Sequence, residues 1–256
     1  MSIKKVLASI RKADEIFNLI QDKDRIAVGV SGGKDSILLL YCLKLYKYLA
    51  KNSLNKDFDY IGVHIDLNFG QENDEKLKKF IKDNEIPYYE EESKIKDILE
   101  LNKKNDEIQC SLCSTLKKGA VVNAAKKLNC NKVAFGHHAD DAIETLFLNM
   151  IYGGRINTFD PIMHLENANV DFIRPLILTY ESDISKTCKE LDIPTFKSGC
   201  PNDGYTKREE IKKLLHSIYH TYPCAKENFL LSLLNDDKVN ILKGIKQKWT
   251  KLIEYI

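Results

Sequence analysis

Three short stretches collect residue types that can do chemistry. The first, "VGVSGGKDS" at 28–36, sets two adjacent glycines among serines, a lysine and an aspartate. Glycines let a backbone turn sharply and approach an anion closely. If a helix begins there, its first amides and its dipole favour negative charge. Ser31 and Ser36 add hydroxyl donors, and Lys34 adds a compact positive charge. The stretch lacks the Gly-x-x-x-x-Gly-Lys-[Ser/Thr] spacing of a Walker A loop and the Gly-x-Gly-x-x-Gly of a dinucleotide fold. It reads as a phosphate loop of another kind, the bland alternative being a strand-to-helix turn.

The second stretch is "FGHHADD" at 135–141. Gly136 would leave room for a nucleotide against the backbone. Asp140 and Asp141 stand where a helix should open, so each can serve a cation or act as a cap. His137 and His138 can face substrate or simply pack. His64, in "VHIDL" at 63–67, shares a strand face with Asp66, and a buried structural histidine is the alternative there.

The third stretch is "CSLCSTLKKG" at 110–119. Cys110 and Cys113 can be half a zinc site, a redox dithiol, part of an iron–sulfur ligand set, or two buried thiols. Zinc would need further Cys or His ligands nearby, and the chain has no second Cys-x-x-Cys. Of the seven cysteines, Cys42, Cys130 and Cys188 fall within helix patterns or at their ends and read as core residues. Cys224 begins a late helix and receives no role. Cys200 lies in the turn-rich loop "KSGCPNDGYTKREE". Three cysteines fit a four-iron cluster with one iron open, whereas full thiolate ligation takes four.

These stretches need a scaffold. "RIAVGV" (25–30), "DYIGVHIDL" (59–67), "IPYYEE" (86–91) and "NKVAFG" (131–136) read as strands, and "FIRPLIL" (172–178) as extended. Helices are expected from about Lys5 to Ile20 and over 36–51, 73–84 (capped by Asn73), 93–104, 114–129, 140–152 and 180–192. Gly119 inside one of them marks close packing or a local loss of propensity. The alternation predicts an α/β domain with a mostly parallel twisted sheet flanked by helices. The phosphate loop and "GHHADD" then fall at carboxyl ends of strands, where such sheets bind ligands. From about 205 to 256 only helix patterns remain, so residues 1–204 are expected to form the main domain and 205–256 a helical appendage.

The chain has 256 residues, is 43% hydrophobic and carries a formal net charge of +2. That is enough apolar content for a large core, and the near-neutral balance neither demands nor excludes a nucleic-acid partner. No apolar run is long enough to span a membrane, and the N-terminus lacks signal-peptide features. A cytoplasmic protein without a disulfide framework is expected.

"SGGKDS" after the first strand resembles the PP-loop of the ATP pyrophosphatase superfamily, with its adenine nucleotide alpha hydrolase-like fold. That resemblance implies cleavage of ATP between the α and β phosphates and adenylation of a substrate carbonyl. Ser31, Gly32, Gly33, Lys34, Asp35 and Ser36 would line the phosphate site, with His64 and Gly136 near the nucleotide. Asp35 would hold magnesium or fix the loop, and Asp141 would serve magnesium or pyrophosphate-side chemistry. The order PP-loop, Cys-x-x-Cys, Gly-His-His-x-x-Asp-Asp, "LFLNMIYGG", "IRPL" and a late cysteine before a basic helix looks like the TtcA family, the tRNA 2-thiocytidine synthetases, from about Lys5 to Leu215. This implies that Cys110, Cys113 and Cys200 hold a [4Fe-4S] cluster. It implies that cytidine 32 of the tRNA anticodon loop is the target, with ATP, Mg2+ and sulfur from a cysteine desulfurase. A homodimer is a further family tendency. Lys117 would approach ATP phosphates, a solvated helix face being the alternative. Arg155, Arg174 and the basic residues Lys207, Arg208, Lys212 and Lys213 can meet phosphates or merely lie on the surface. Rival readings are thiolation at another tRNA position, a cluster-free PP-loop ligase, and an inert nucleotide- or zinc-binding module.

Overall fold

The run Arg25–Val30 becomes β1, and Ile26, Ala27 and Val28 are buried on both of its faces. A strand covered on both sides reads as a continuous apolar segment, as parallel interior strands do. In the computed structural model, which describes residues 2–67, 74–103, 109–195 and 206–235, β1 lies between β2 (Asp59–Asp66) and β4 (Lys132–Ala134), parallel to both. β3 (Tyr88–Glu92) extends the sheet beyond β2, and β6 (Val170–Ile173) extends it beyond β4, again parallel. β5 (Ile162–Leu165) closes the edge antiparallel to β6. The order β3-β2-β1-β4-β6-β5 reverses direction between β1 and β4. Their carboxyl ends therefore form the crevice at which open α/β sheets take ligands.

Helices cover both faces. α1 (Ser2–Phe17), α2 (Lys34–Leu54) and α7 (Glu181–Glu190) pack on one another, with α2 against β1 and β2. α4 (Ile95–Leu101) and α5 (Cys110–Lys127) pack on the other face, where Ala27, Val63, Ile65, Val133 and Phe172 form one apolar cluster with Val121, Val122, Ala124 and Ala125. In α2, Ile37, Leu38, Leu39, Leu40 and Leu43 are wholly buried, each worth roughly 1.5–3 kcal/mol of apolar burial. The helix stops where Asn55 takes a left-handed conformation and donates its N–H to Ala50 O. α3 (Asp74–Asp83), α6 (Ala139–Gly153), α8 (Lys207–Thr221) and α9 (Ala225–Leu234) complete the described elements. The chain divides into two compact units, Met1–Lys212 and Lys213–Ile256.

The α/β architecture agrees with the sequence reading, and several details correct it. α5 begins at Cys110, so the cysteine pair is the first turn of the helix and not a loop before it. Gly119 marks no close packing: an added Cβ there meets nothing within 4 Å. "FIRPLIL" is a strand only to Ile173. The edge strand β5 was not anticipated. The Asn73 cap, Cys200 and the last helix pattern lie outside the described residues. No described helix is long and apolar enough to cross a membrane.

Candidate active site

The glycine loop leaves β1 and enters α2 directly. Gly32 has φ +87°, a conformation that a side chain would strain. The loop is stitched by its own hydroxyls. Ser31 N–H donates to Ser36 Oγ at 3.1 Å, and Ser36 Oγ–H donates to Gly33 O at 2.9 Å. Gly33 is the N-cap of α2 and brings no side-chain acceptor, so the first-turn amides keep their capacity for an anion. His64 is buried, with Nδ1 2.8 Å from Val30 O, beneath the entrance to the loop.

The second loop comes against the first. A Cβ on Gly136 would sit 3.0 Å from Asp35 C and Ser36 N and 3.1 Å from Asp35 O. The space at this glycine is therefore filled by the backbone of the phosphate loop itself. α6 starts with a reciprocal cap: Asp141 N–H meets His138 Nδ1, and His138 N–H donates to Asp141 Oδ2 at 3.0 Å. His138, not an aspartate, is thus the N-cap, in the x-x spacing of a capping box. His138 Nε2 lies 3.5 Å from Asp141 Oδ2 and 3.9 Å from Asp35 Oδ1, joining the two loops. Asp140 caps a different helix, accepting Glu181 N–H at the start of α7 at 2.8 Å. Asp35 Oδ1 is buried without a hydrogen-bond donor, although Lys34 Nζ lies 3.2 Å away as an ion-pair partner.

Lys34 also reaches Glu181 Oε1 at 2.9 Å, and Lys212 reaches Glu181 Oε2 at 2.8 Å. Burial works against the charge on Lys34, but Asp35 and Glu181 hold its ammonium above its ordinary range. Burial likewise opposes ionisation of Glu181, and the hydrogen bonds from Lys212 and Lys34 outweigh it, bringing its carboxyl down to about 2. Glu181 was not singled out in the sequence. An acidic residue in a first helical turn is too common to point to a loop nearly 150 residues away.

His137 stands beside Phe135 and Phe159, with ring centroids 5.8 and 5.2 Å apart. Its pKa is lowered to about 4, chiefly by burial; Asp141 opposes this, while Arg174, Lys118 and Arg208 add to it. Lys118 on α5 therefore acts electrostatically on the β4–α6 loop. Lys117 lies next to it, half-buried on the same helix. Arg174 is neither a surface ion pair nor an exposed phosphate hook: it is buried, its guanidinium 4.7 Å over Phe159 and bonded to Asp160 O. Arg155 is exposed. Lys207, Arg208 and Lys212 of α8 are engaged within the first unit. Lys207 lies over the Tyr152 ring at 4.3 Å, and Arg208 pairs with Glu144 at 3.2 Å.

Cys110 and Cys113 are the first and fourth residues of α5, one helical turn apart along the chain. Cys113 is buried. Among the described residues no three Cys, His, Asp or Glu side chains form a metal-binding group, and Cys200 is not among those residues. Cys42, Cys130 and Cys188 are free and buried, as expected of core residues, and Cys224 is exposed.

A parallel sheet whose strand-crossing point carries a glycine–serine loop against a second acidic loop defines a nucleotide-binding fold of the PP-loop kind. A model of the PP-loop domain matches residues 5–218. A tRNA-cytidine(32) 2-sulfurtransferase of Geobacter sulfurreducens is 33% identical over 91% of this chain and 90% of its own. Another of that name, from Actinobacillus pleuropneumoniae, is 31% identical over 95% of this chain and 78% of its own. The solved U34-tRNA thiolase NcsA of Methanococcus maripaludis, which has a [4Fe-4S] cluster, superimposes with a TM-score of 0.70 at 21% identity. That match covers 100% of this chain and 80% of the thiolase. The chain belongs to the PP-loop family and, within it, to the ATP-using tRNA-cytidine(32) 2-sulfurtransferases.

Proposed function

We propose that this protein converts a tRNA cytidine, cytidine 32 of the anticodon loop, to 2-thiocytidine. The observation that carries the proposal is similarity over nine-tenths of both chains to sulfurtransferases named for that nucleotide. The contact between the loop at 31–36 and Gly136 supports it.

In this reading ATP lies along Ser31–Ser36, with phosphate oxygens on the amides of the loop and of the first turn of α2. Asp35 Oδ1, buried and lacking a donor, suits a magnesium ion. Asp141 has one carboxylate oxygen in the α6 cap and the other 3.7 Å from Arg208, so it suits a positioning part. The cytosine O2 attacks the α-phosphate and pyrophosphate leaves. A sulfur nucleophile then adds at C2, and the C2–O bond breaks with departure of AMP. Lys34 offsets charge on the pyrophosphate, and Lys117 and Lys118 extend that positive field. Positioning and charge neutralisation supply most of the rate. The sulfur comes from a cysteine desulfurase.

Two cysteines one turn apart at the start of a helix fit the donor set of an iron–sulfur centre. Cys110, Cys113 and Cys200 would hold a [4Fe-4S] cluster, which when bound would supply an open iron for sulfide. The test has two arms. Anaerobically purified protein should contain iron and acid-labile sulfide, and Cys110→Ser, Cys113→Ser or Cys200→Ser should remove both. Nucleoside mass spectrometry of tRNA from a strain lacking the gene should show loss of 2-thiocytidine. If 2-thiocytidine persists, the cytidine assignment falls. A colourless, iron-free protein that still releases pyrophosphate with tRNA points instead to a cluster-free ligase.

A further inference from the structure

The phosphate-loop lysine is held by a helix that no motif marks. Lys34 is the first residue of α2, and α7 grips it at both ends. Glu181 Oε1 takes the ammonium at 2.9 Å, and Cys188 Sγ lies 3.8 Å from the Lys34 carbonyl. Glu181 and Cys188 are seven apart, two helical turns, so they share the face of α7 that packs on α2. Ile184 and Thr187, between them, are buried. Glu181 is itself fixed: Asp140 Oδ2 accepts its N–H at 2.8 Å, and Lys212 holds its second oxygen at 2.8 Å.

A carboxylate beside a loop that receives phosphates needs a reason. Alone it would repel the nucleotide. Lys212 supplies a second ammonium, so Glu181 faces two cations, Lys34 and Lys212, and its own charge is offset. What the carboxylate adds is position. A lysine side chain carries four rotatable bonds and loses rotamer entropy when it is fixed. If the protein fixes it in advance, the nucleotide need not. Asp35 at 3.2 Å cannot do this alone, because it is the neighbouring residue and moves with the loop. Glu181 stands on a separate helix, tied to α6 through Asp140.

We propose that Glu181 is a positioning residue for ATP, acting through Lys34, with Lys212 balancing its charge. The inference rests on the reading of the loop at 31–36 as an ATP site. Glu181 makes no contact with phosphate in this account. Its effect on nucleotide binding should therefore vanish when Lys34 is absent, which a role exerted through Lys212 or the packing of α7 would not show.

The test is a double-mutant cycle on the full chain, reading the dissociation constant of α,β-methylene-ATP with Mg2+ by calorimetry, beside a melting temperature for each variant. Glu181→Gln should weaken binding about tenfold, the scale of one charge-assisted hydrogen bond. In a Lys34→Met background the same change should weaken it no further. Glu181→Asp, which keeps the charge but shortens the reach, should fall between the two, and it replaces Glu181→Gln in the cycle if that variant does not fold. Equal weakening in both backgrounds makes the role structural and overturns the inference. So does unchanged or tighter binding by Glu181→Gln. If the unmodified chain binds no nucleotide, the ATP reading itself fails and takes this inference with it. If it binds while Glu181→Gln is silent, only the positioning role is lost.

Discussion

Replacing Gly136 with alanine is the sharpest probe of how the two loops meet. The added Cβ would stand 3.0 Å from two backbone atoms of the phosphate loop, Asp35 C and Ser36 N, and 3.1 Å from Asp35 O. Ordinary carbon contacts sit near 3.5–4.0 Å, so the loops must separate by several tenths of an ångström. The obstacle is backbone at the first turn of a helix whose Ile37, Leu38 and Leu39 are wholly buried, and it cannot swing aside as a side-chain end would. Overpacking of this kind costs about 1–3 kcal/mol. For a chain of this size each kcal/mol lowers the melting temperature by about 2–4 °C. The displacement falls on the residues proposed to present amides to phosphate, so nucleotide affinity should drop together with stability. Gly119→Ala is the matched control. It sits in an exposed stretch of α5 with nothing within 4 Å of the added carbon, and it should stabilise by about 0.5–1 kcal/mol through helix propensity alone. Differential scanning fluorimetry and titration with α,β-methylene-ATP on the three proteins decide the matter. A Gly136→Ala protein that melts with the parent and binds nucleotide equally well would refute the argued contact.

Further outcomes follow from the charges. His137, ordinarily near 6.5, is held down to about 4, chiefly by burial. Its unfolded form therefore binds a proton that the folded form refuses. Stability is full above about pH 6.5 and declines as pH falls toward 4, with a loss of up to about 3 kcal/mol from this group. Urea unfolding at pH 7 and pH 5 should show a smaller drop in His137→Gln than in the parent, and equal drops would reject the assignment. Lys132 and Asp24 form a buried pair at 2.8 Å, and Lys132 also donates to Leu19 O at 2.7 Å. Lys132→Met leaves the buried Asp24 carboxylate with its hydrogen bonds from Gln21 and Asn131 but without its cation, and should cost about 3 kcal/mol, read as a lower urea midpoint; a loss under about 1 kcal/mol would show that solvent already reaches the pair.

What the sequence made legible was whatever a local pattern encodes. β1 declares itself because a strand buried on both faces must be apolar throughout, and the phosphate loop because positive φ at Gly32 and an uncapped helix start demand those residue types. β5 escaped notice because an edge strand of four residues leaves Met163 and His164 exposed and shows little alternation. The clue was the pair "IMHL" and "VDFI" flanking a turn whose last residue, Asn169, has φ +50°, a hairpin signature. The aspartates of "GHHADD" were legible as candidate site residues but not in their division of labour. A capping box formed by His138 and Asp141 leaves Asp140 free to reach α7, and only the folded distance between two helices decides that. Glu181 is the extreme case. Nothing in "TYESDIS" distinguishes it from any first-turn glutamate, and its meaning comes from the crossover that lays α7 along α2. Residues proposed for chemistry are readable because chemistry restricts residue type, whereas a residue proposed to hold them is not, because a carboxylate on any neighbouring element could have done the same work.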